Sequence, residues 1–141
     1  MTVPRVLLVE DSKEDVLFFR RAVSQAGWEC ALEVAQDGEE AIRRLSAADA
    51  PDAPTHAILD LKMPHVSGLE VLTWIRAHPK LGKLPVVILT SSQVASDVRQ
   101  AEALGIDAFL VKPVSFKGLL DIVRSIGERW KIPVAIAGTG R

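Results

Sequence analysis

The chain has 141 residues, 48% apolar and 25% charged, which suits one soluble globular domain and leaves little room for a second. A formal charge of −1 with no block of one sign speaks against a nucleic-acid-binding face. The single Cys30 excludes an internal disulfide, and no window approaches the roughly 20 apolar residues of a membrane helix. The N-terminal apolar run is broken by Glu10 and Asp11, too early for a signal peptide, so a cytoplasmic protein with no membrane partner is expected.

Short apolar runs alternate with longer stretches of helical spacing. Val6–Val9 reads as a strand that ends in Glu10-Asp11. Ser12 and Asp15 form a reciprocal cap for a first helix, with Phe19, Ala22, Val23 and Ala26 on its apolar face and Gly27 at its end. Leu32–Ala35 is the second run, followed by a turn at Asp37-Gly38. A loop over Ala50–Pro54 leads to the third run, Ala57–Leu61. Leu69, Leu72, Ile75 and Arg76 return to helical spacing, and Pro79 and Pro85 bracket the approach to the fourth run, Val86–Thr90. Gly105 closes the fourth helix before the fifth run, Ala108–Lys112. Phe116, Leu119, Leu120, Val123, Ile126 and Trp130 make an amphipathic last helix that Pro133 is expected to end.

The runs show little period-two alternation, which predicts strands buried on both faces of a parallel sheet. Five strands alternating with helices, joined by right-handed crossovers, predict a flavodoxin-like (βα)5 fold of class α/β with strand order 2-1-3-4-5. Ligands of such a sheet lie beyond the carboxyl ends of the strands. Those ends carry Glu10-Asp11, Asp60, Thr90-Ser91-Ser92 and Lys112-Pro113. Any one of these residues alone would be a turn, a terminus or a solvated side chain. Together they bring three carboxylates, a hydroxyl cluster and an ammonium to one edge.

Clustered carboxylates repel unless a cation sits between them, and a hard dication with oxygen ligands fits. Mg²⁺ takes one or two carboxylates and phosphate oxygens, whereas zinc would need Cys or His ligands. His56, His65 and His78 form no such set. One carboxylate can then attack phosphorus to give an aspartyl phosphate. Asp60, standing alone in the middle of the edge, is the candidate nucleophile, with the Glu10-Asp11 pair left to hold metal. Lys112 and Thr90 can meet the oxygens of the phosphoryl group.

The segments LLVEDS (7–12), LDLKMP (59–64), LTSS (89–92) and LVKP (110–113) resemble those of two-component response-regulator receivers, over roughly residues 5–128. The resemblance implies Asp60 as phosphoacceptor, Asp11 as direct metal ligand, Glu10 as a ligand mainly through water, and the backbone carbonyl of Lys62 as a further ligand. It implies Thr90 and Phe109 as the hydroxyl and aromatic switch positions. It also likens Lys112-Pro113 to a bond that is often cis in the family. Lys62, two residues past Asp60, is a departure that, with Ser92, is expected to tune the lifetime of the phosphoryl group.

The run ERWKIPV (128–134) further resembles the small receivers that accompany bacterial phytochromes. That likeness implies a phytochrome-type sensor histidine kinase as phosphodonor. It also implies a homodimer through the fourth helix, fifth strand, fifth helix and C-terminal extension. The expected organisation is a receiver domain over 1–130 and an extension over 131–141, with no output domain. The extension is either an unstructured tail, above all at Gly138–Arg141, or an apolar segment, Ile132–Ile136, packed on another subunit or back on its own surface. The chemistry expected is that of a phosphoacceptor, not an enzyme, with a phosphate shuttle or sink as the alternative. A Mg²⁺-dependent aspartyl phosphohydrolase is a rival, but its second acid would fall at Lys62.

Overall fold

A computed structural model describes residues 3–135 of the chain. It contains β1 (Arg5–Val9), α1 (Lys13–Ala26), β2 (Ala31–Ala35), α2 (Gly38–Leu45), β3 (His56–Leu59), α3 (Gly68–Ala77), β4 (Val86–Thr90), α4 (Ala95–Leu104), β5 (Ala108–Val111) and α5 (Phe116–Trp130). All strand pairs are parallel and the order is β2-β1-β3-β4-β5, as expected. β1 and β3 are neighbours although β2 lies between them in the chain, so the crossover direction reverses there and opens a crevice at their carboxyl ends.

Alternate strand residues feed two cores. Leu7, Val9, Ala57, Leu59, Val86 and Ile88 pack against α2, α3 and α4 through Ala41, Leu45, Val71, Leu72, Ile75 and Ala101. Val6, Leu8, Ile58, Val87 and Leu89 pack on the other face against Phe19, Ala22, Val23, Val123 and Ile126 of α1 and α5. Burial on both faces holds for the three central strands but not for β2 and β5, which are mostly half-buried. Each of these edge strands has a neighbour on one side only, so less of its length is covered.

Local chemistry accounts for most boundaries. The Ser12 hydroxyl accepts the Asp15 N–H at 3.2 Å, but the reciprocal half of the expected cap is absent. The Ser12 N–H donates to Glu10 instead, and the Asp15 carboxylate turns to Lys112. Gly27 ends α1 in the left-handed region at φ 76°, which a residue with a Cβ adopts only with strain. Asp37 is the N-cap of α2. A full capping box formed by Ser67 and Glu70 starts α3. The guanidinium of Arg76, which the helical spacing puts at a polar edge, instead gathers the carbonyls of Gly82, Leu84, Leu104 and Gly105. It thereby ties α3 to the loops before β4 and β5.

α5 stops at Trp130, before Pro133, because Lys131 turns left-handed at φ 56°. Beyond it the described part of the extension folds back on the domain. Ile132 is buried in the α1–α5 core, and Val134 forms an antiparallel bridge with Trp28. The Glu29 N–H donates to the Pro133 carbonyl at 2.7 Å, and the Ala135 N–H to the Gly27 carbonyl at 2.8 Å. Ile136 and Gly138–Arg141 lie outside the described residues. No peptide bond among the described residues is cis, Lys112–Pro113 included, contrary to the expectation from resemblance.

Candidate functional site

Backbone ladders deliver the polar residues to the sheet edge. The Glu10 N–H donates to the Ala35 carbonyl and the Asp60 N–H to the Val9 carbonyl, each at 3.0 Å, so both residues continue their strands by one step. The Lys112 N–H does the same to the Thr90 carbonyl at 2.9 Å. Glu10 and Asp60 are buried, at 4% and 5% exposure, and Thr90 is fully buried. Buried carboxylates are costly unless they are paired. Asp11 is exposed beside them.

Glu10, Asp11 and Asp60 each offer an oxygen, and these oxygens lie within 4.8 Å of one another. The Lys112 ammonium compensates the cluster, at 2.6 Å from Glu10 Oε1, 2.7 Å from Asp15 Oδ2 and 3.0 Å from Asp60 Oδ2. Burial pushes the Glu10 carboxyl up to about 7, against the pull of its hydrogen bonds from Lys112 and from the Ser12 N–H. For Lys112, burial works against the charged form. Hydrogen bonds to Asp15, Glu10 and Asp60 outweigh it and hold its pKa above the ordinary lysine value. Asp60 Oδ1 accepts the Lys62 N–H at 3.2 Å, whereas the Lys62 side chain is exposed with its ammonium 4.0 Å from Asp97.

The Thr90 hydroxyl accepts the Ser92 N–H at 3.2 Å. The Ser92 hydroxyl is buried with no hydrogen-bond partner among the described residues. Phe109 is half-buried against the core on the α2–α3–α4 face. A cavity of about 240 Å³ runs from Glu10, Asp60 and Lys112 between α1 and α5, walled by Phe18, Phe19, Phe116 and Leu119.

Of the residues singled out from the sequence, Glu10, Asp11, Asp60, Lys62, Thr90, Ser92 and Lys112 lie on or next to this carboxyl edge, whereas Phe109 sits in mid-strand, paired with Ile88. The first three and Lys112 converge directly. Two further residues belong to the site. Asp15, which its spacing from Ser12 marks only as a cap, turns its carboxylate from the first turn of α1 to Lys112. Gly68, which carries no sequence signal of its own, lies so close that a Cβ there would be 2.1 Å from the Asp60 carbonyl oxygen. The Ser67 cap preceding it was the available signal that α3 begins against the acceptor loop.

A doubly wound α/β domain with an acidic cluster and a compensating lysine at its crevice has the make-up of a signalling receiver. Residues 6–124 match the family model of the response regulator receiver domain, and the chain belongs to that family. It is 35% identical over 127 residues to the probable methanogenesis regulatory protein FilR2 of Methanothrix harundinacea, covering 89% of this chain and 82% of that one. It is 32% identical over 128 residues to the response regulator Rcp1 of a Synechocystis species, covering 89% and 87%. The Mn(2+)-bound structure of Rcp1 superposes with a TM-score of 0.82 at 30% identity, covering 94% of this chain and 99% of that one. The phosphorylated cyanobacterial phytochrome response regulator RcpA superposes with a TM-score of 0.85 at 27% identity, covering 96% and 100%. The structural neighbours thus include phytochrome-associated response regulators. No helix among the described residues is long and apolar enough to cross a membrane.

Proposed function

We propose that this receiver accepts a phosphoryl group from a sensor histidine kinase onto Asp60 and signals through its α4–β5–α5 surface. The observation that carries the reading is the convergence of Glu10, Asp11, Asp60 and Lys112 at the sheet edge. The donor set fits Mg²⁺: three carboxylate oxygens within reach of one another, and no Cys or His among them. Glu10, Asp11 and Asp60 would hold the ion together with the Lys62 carbonyl, and when bound it supplies neutralising charge to the phosphoryl oxygens.

The chain's own residues do the rest. The Asp60 carboxylate attacks phosphorus, and the bond from phosphorus to the donor's imidazole nitrogen breaks with its electron pair left on nitrogen. Lys112 sets a point charge beside Asp60 and Thr90 offers its hydroxyl to an oxygen of the transferred group. Thr90 and Phe109 then bias two populations of the α4–β5–α5 face. Exposed Val94, Val111 and Val114 support that face as a homodimer contact, to which the extension, although folded back on its own domain, would add exposed Val134. The likeness to RcpA supports a phytochrome-type kinase as donor. Residues 1–130 form the receiver in this reading and 131–141 its extension. The chemistry is phosphoacceptance and self-dephosphorylation only.

Intact mass after incubation with Mg²⁺ and a small-molecule phosphodonor tests the reading. A single phosphoryl adduct is expected on the wild type, none on Asp60→Asn, and none after Mg²⁺ is chelated. An adduct of equal yield on Asp60→Asn would overturn it.

A further inference from the structure

We propose that Asp15 is a positioning residue, holding the Lys112 ammonium beside Asp60 when a divalent cation draws on Glu10 and Asp60. The inference rests on the reading of Glu10, Asp11 and Asp60 as the metal set. Lys112 contacts three carboxylates, and two of them, Glu10 and Asp60, belong to that acidic cluster. Glu10 and Asp60, if they held a dication, would have less negative charge left for the ammonium, which the added positive charge would also repel. Asp15 lies outside the cluster and, among the described residues, remains the one uncommitted anion in contact with Lys112, at 2.7 Å.

The local fold frees Asp15 for this work. Its N–H is taken by the Ser12 hydroxyl, which fixes the first turn of α1. Its carboxylate is released from capping because the Ser12 N–H donates to Glu10 Oε2 at 3.0 Å. A lysine ends in a compact charge on a flexible four-carbon stem, so without a tether it would sample solvent once its other partners were neutralised. Glu14, the neighbouring acid in the same turn, is exposed and forms no ion pair with Lys112, so it serves as a control for the helix-dipole contribution of any acid there.

The experiment is side-chain NMR of ¹⁵N-lysine-labelled protein with and without Mg²⁺, beside phosphorylation rates at saturating Mg²⁺ and phosphodonor. In wild type and Glu14→Gln the Lys112 ammonium signal should survive Mg²⁺ addition, protected by Asp15. In Asp15→Asn it should be lost to solvent exchange on adding Mg²⁺, and the maximal phosphorylation rate should fall about ten- to a hundredfold. Asp15→Glu should restore part of both, which a purely structural defect would not allow. Survival of the signal in Mg²⁺-loaded Asp15→Asn, or its loss in Mg²⁺-loaded wild type, would overturn the proposal. If the ammonium behaves as expected but wild type takes no phosphoryl group, the reading of Asp60 falls while the tether stands.

Discussion

Glu10 is the residue in which burial and charge are most at odds. Burial pushes its carboxyl from the ordinary 4.5 up to about 7, so the folded, metal-free protein binds the proton more tightly than the unfolded chain. The stabilisation from that proton is complete below about 4.5 and is lost as pH rises through about 7. Metal-free protein should therefore lose thermal stability between pH 5 and pH 8, and Mg²⁺ should restore it at the upper end. By the same competition, Mg²⁺ affinity measured by calorimetry should fall as pH drops below 7. Lys62 and Ser92 flank the acceptor differently. Lys62 follows the acceptor by two residues with its exposed ammonium 4.0 Å from Asp97, so Lys62→Ala should change the dephosphorylation rate several-fold. The Ser92 hydroxyl is buried without a partner among the described residues, so Ser92→Ala should leave stability within about 1 kcal/mol while still changing the dephosphorylation rate. Phosphoryl-loss kinetics by mass spectrometry check both. Unchanged rates would remove these two residues from the control of lifetime.

Among the helices, α4 is capped least well. Val94 sits at its N-cap with no side-chain hydrogen bond, while Ser12, Asp37, Ser67 and Ser115 all cap theirs. Val94→Ser should stabilise the domain by about 1 kcal/mol, read as an increase in the urea midpoint at constant slope. The same variant should shift the response of the α4–β5–α5 face to a beryllium fluoride mimic, because α4 would then be held in its resting arrangement. α3 shows how an element can be legible in part. Its Leu72 and Ile75 face was readable from spacing, but the four carbonyls gathered by Arg76 come from the loop after α3 and from the end of α4, which no helical period encodes.

Taken whole, the molecule is closed at the α1–α5 side by its own extension. Ile132 fills a place beside Trp28 and Ile126, and the strand-like contacts of Pro133 and Ala135 pin it there. Ile132→Ala should cost about 2–4 kcal/mol in urea unfolding, a core-cavity penalty that a dangling tail would not show. An effect below about 0.5 kcal/mol would mean the segment does not pack in solution.

The sequence by itself determined the alternation of strands and helices, the order of the sheet, and the strand ends that bear Glu10, Asp11, Asp60, Thr90 and Lys112. Each of those follows from local spacing, caps and the rule that a parallel sheet gathers its ligands at one edge. Only the tertiary structure decided that Asp15 leaves its cap for Lys112, that Gly68 lies against Asp60, and that Ile132 returns to the core. The first and third depend on contacts between segments far apart in the chain, and the second on how the acceptor loop folds back onto the start of α3. There, packing and charge pairing across the crevice choose among local options that are nearly equal in free energy.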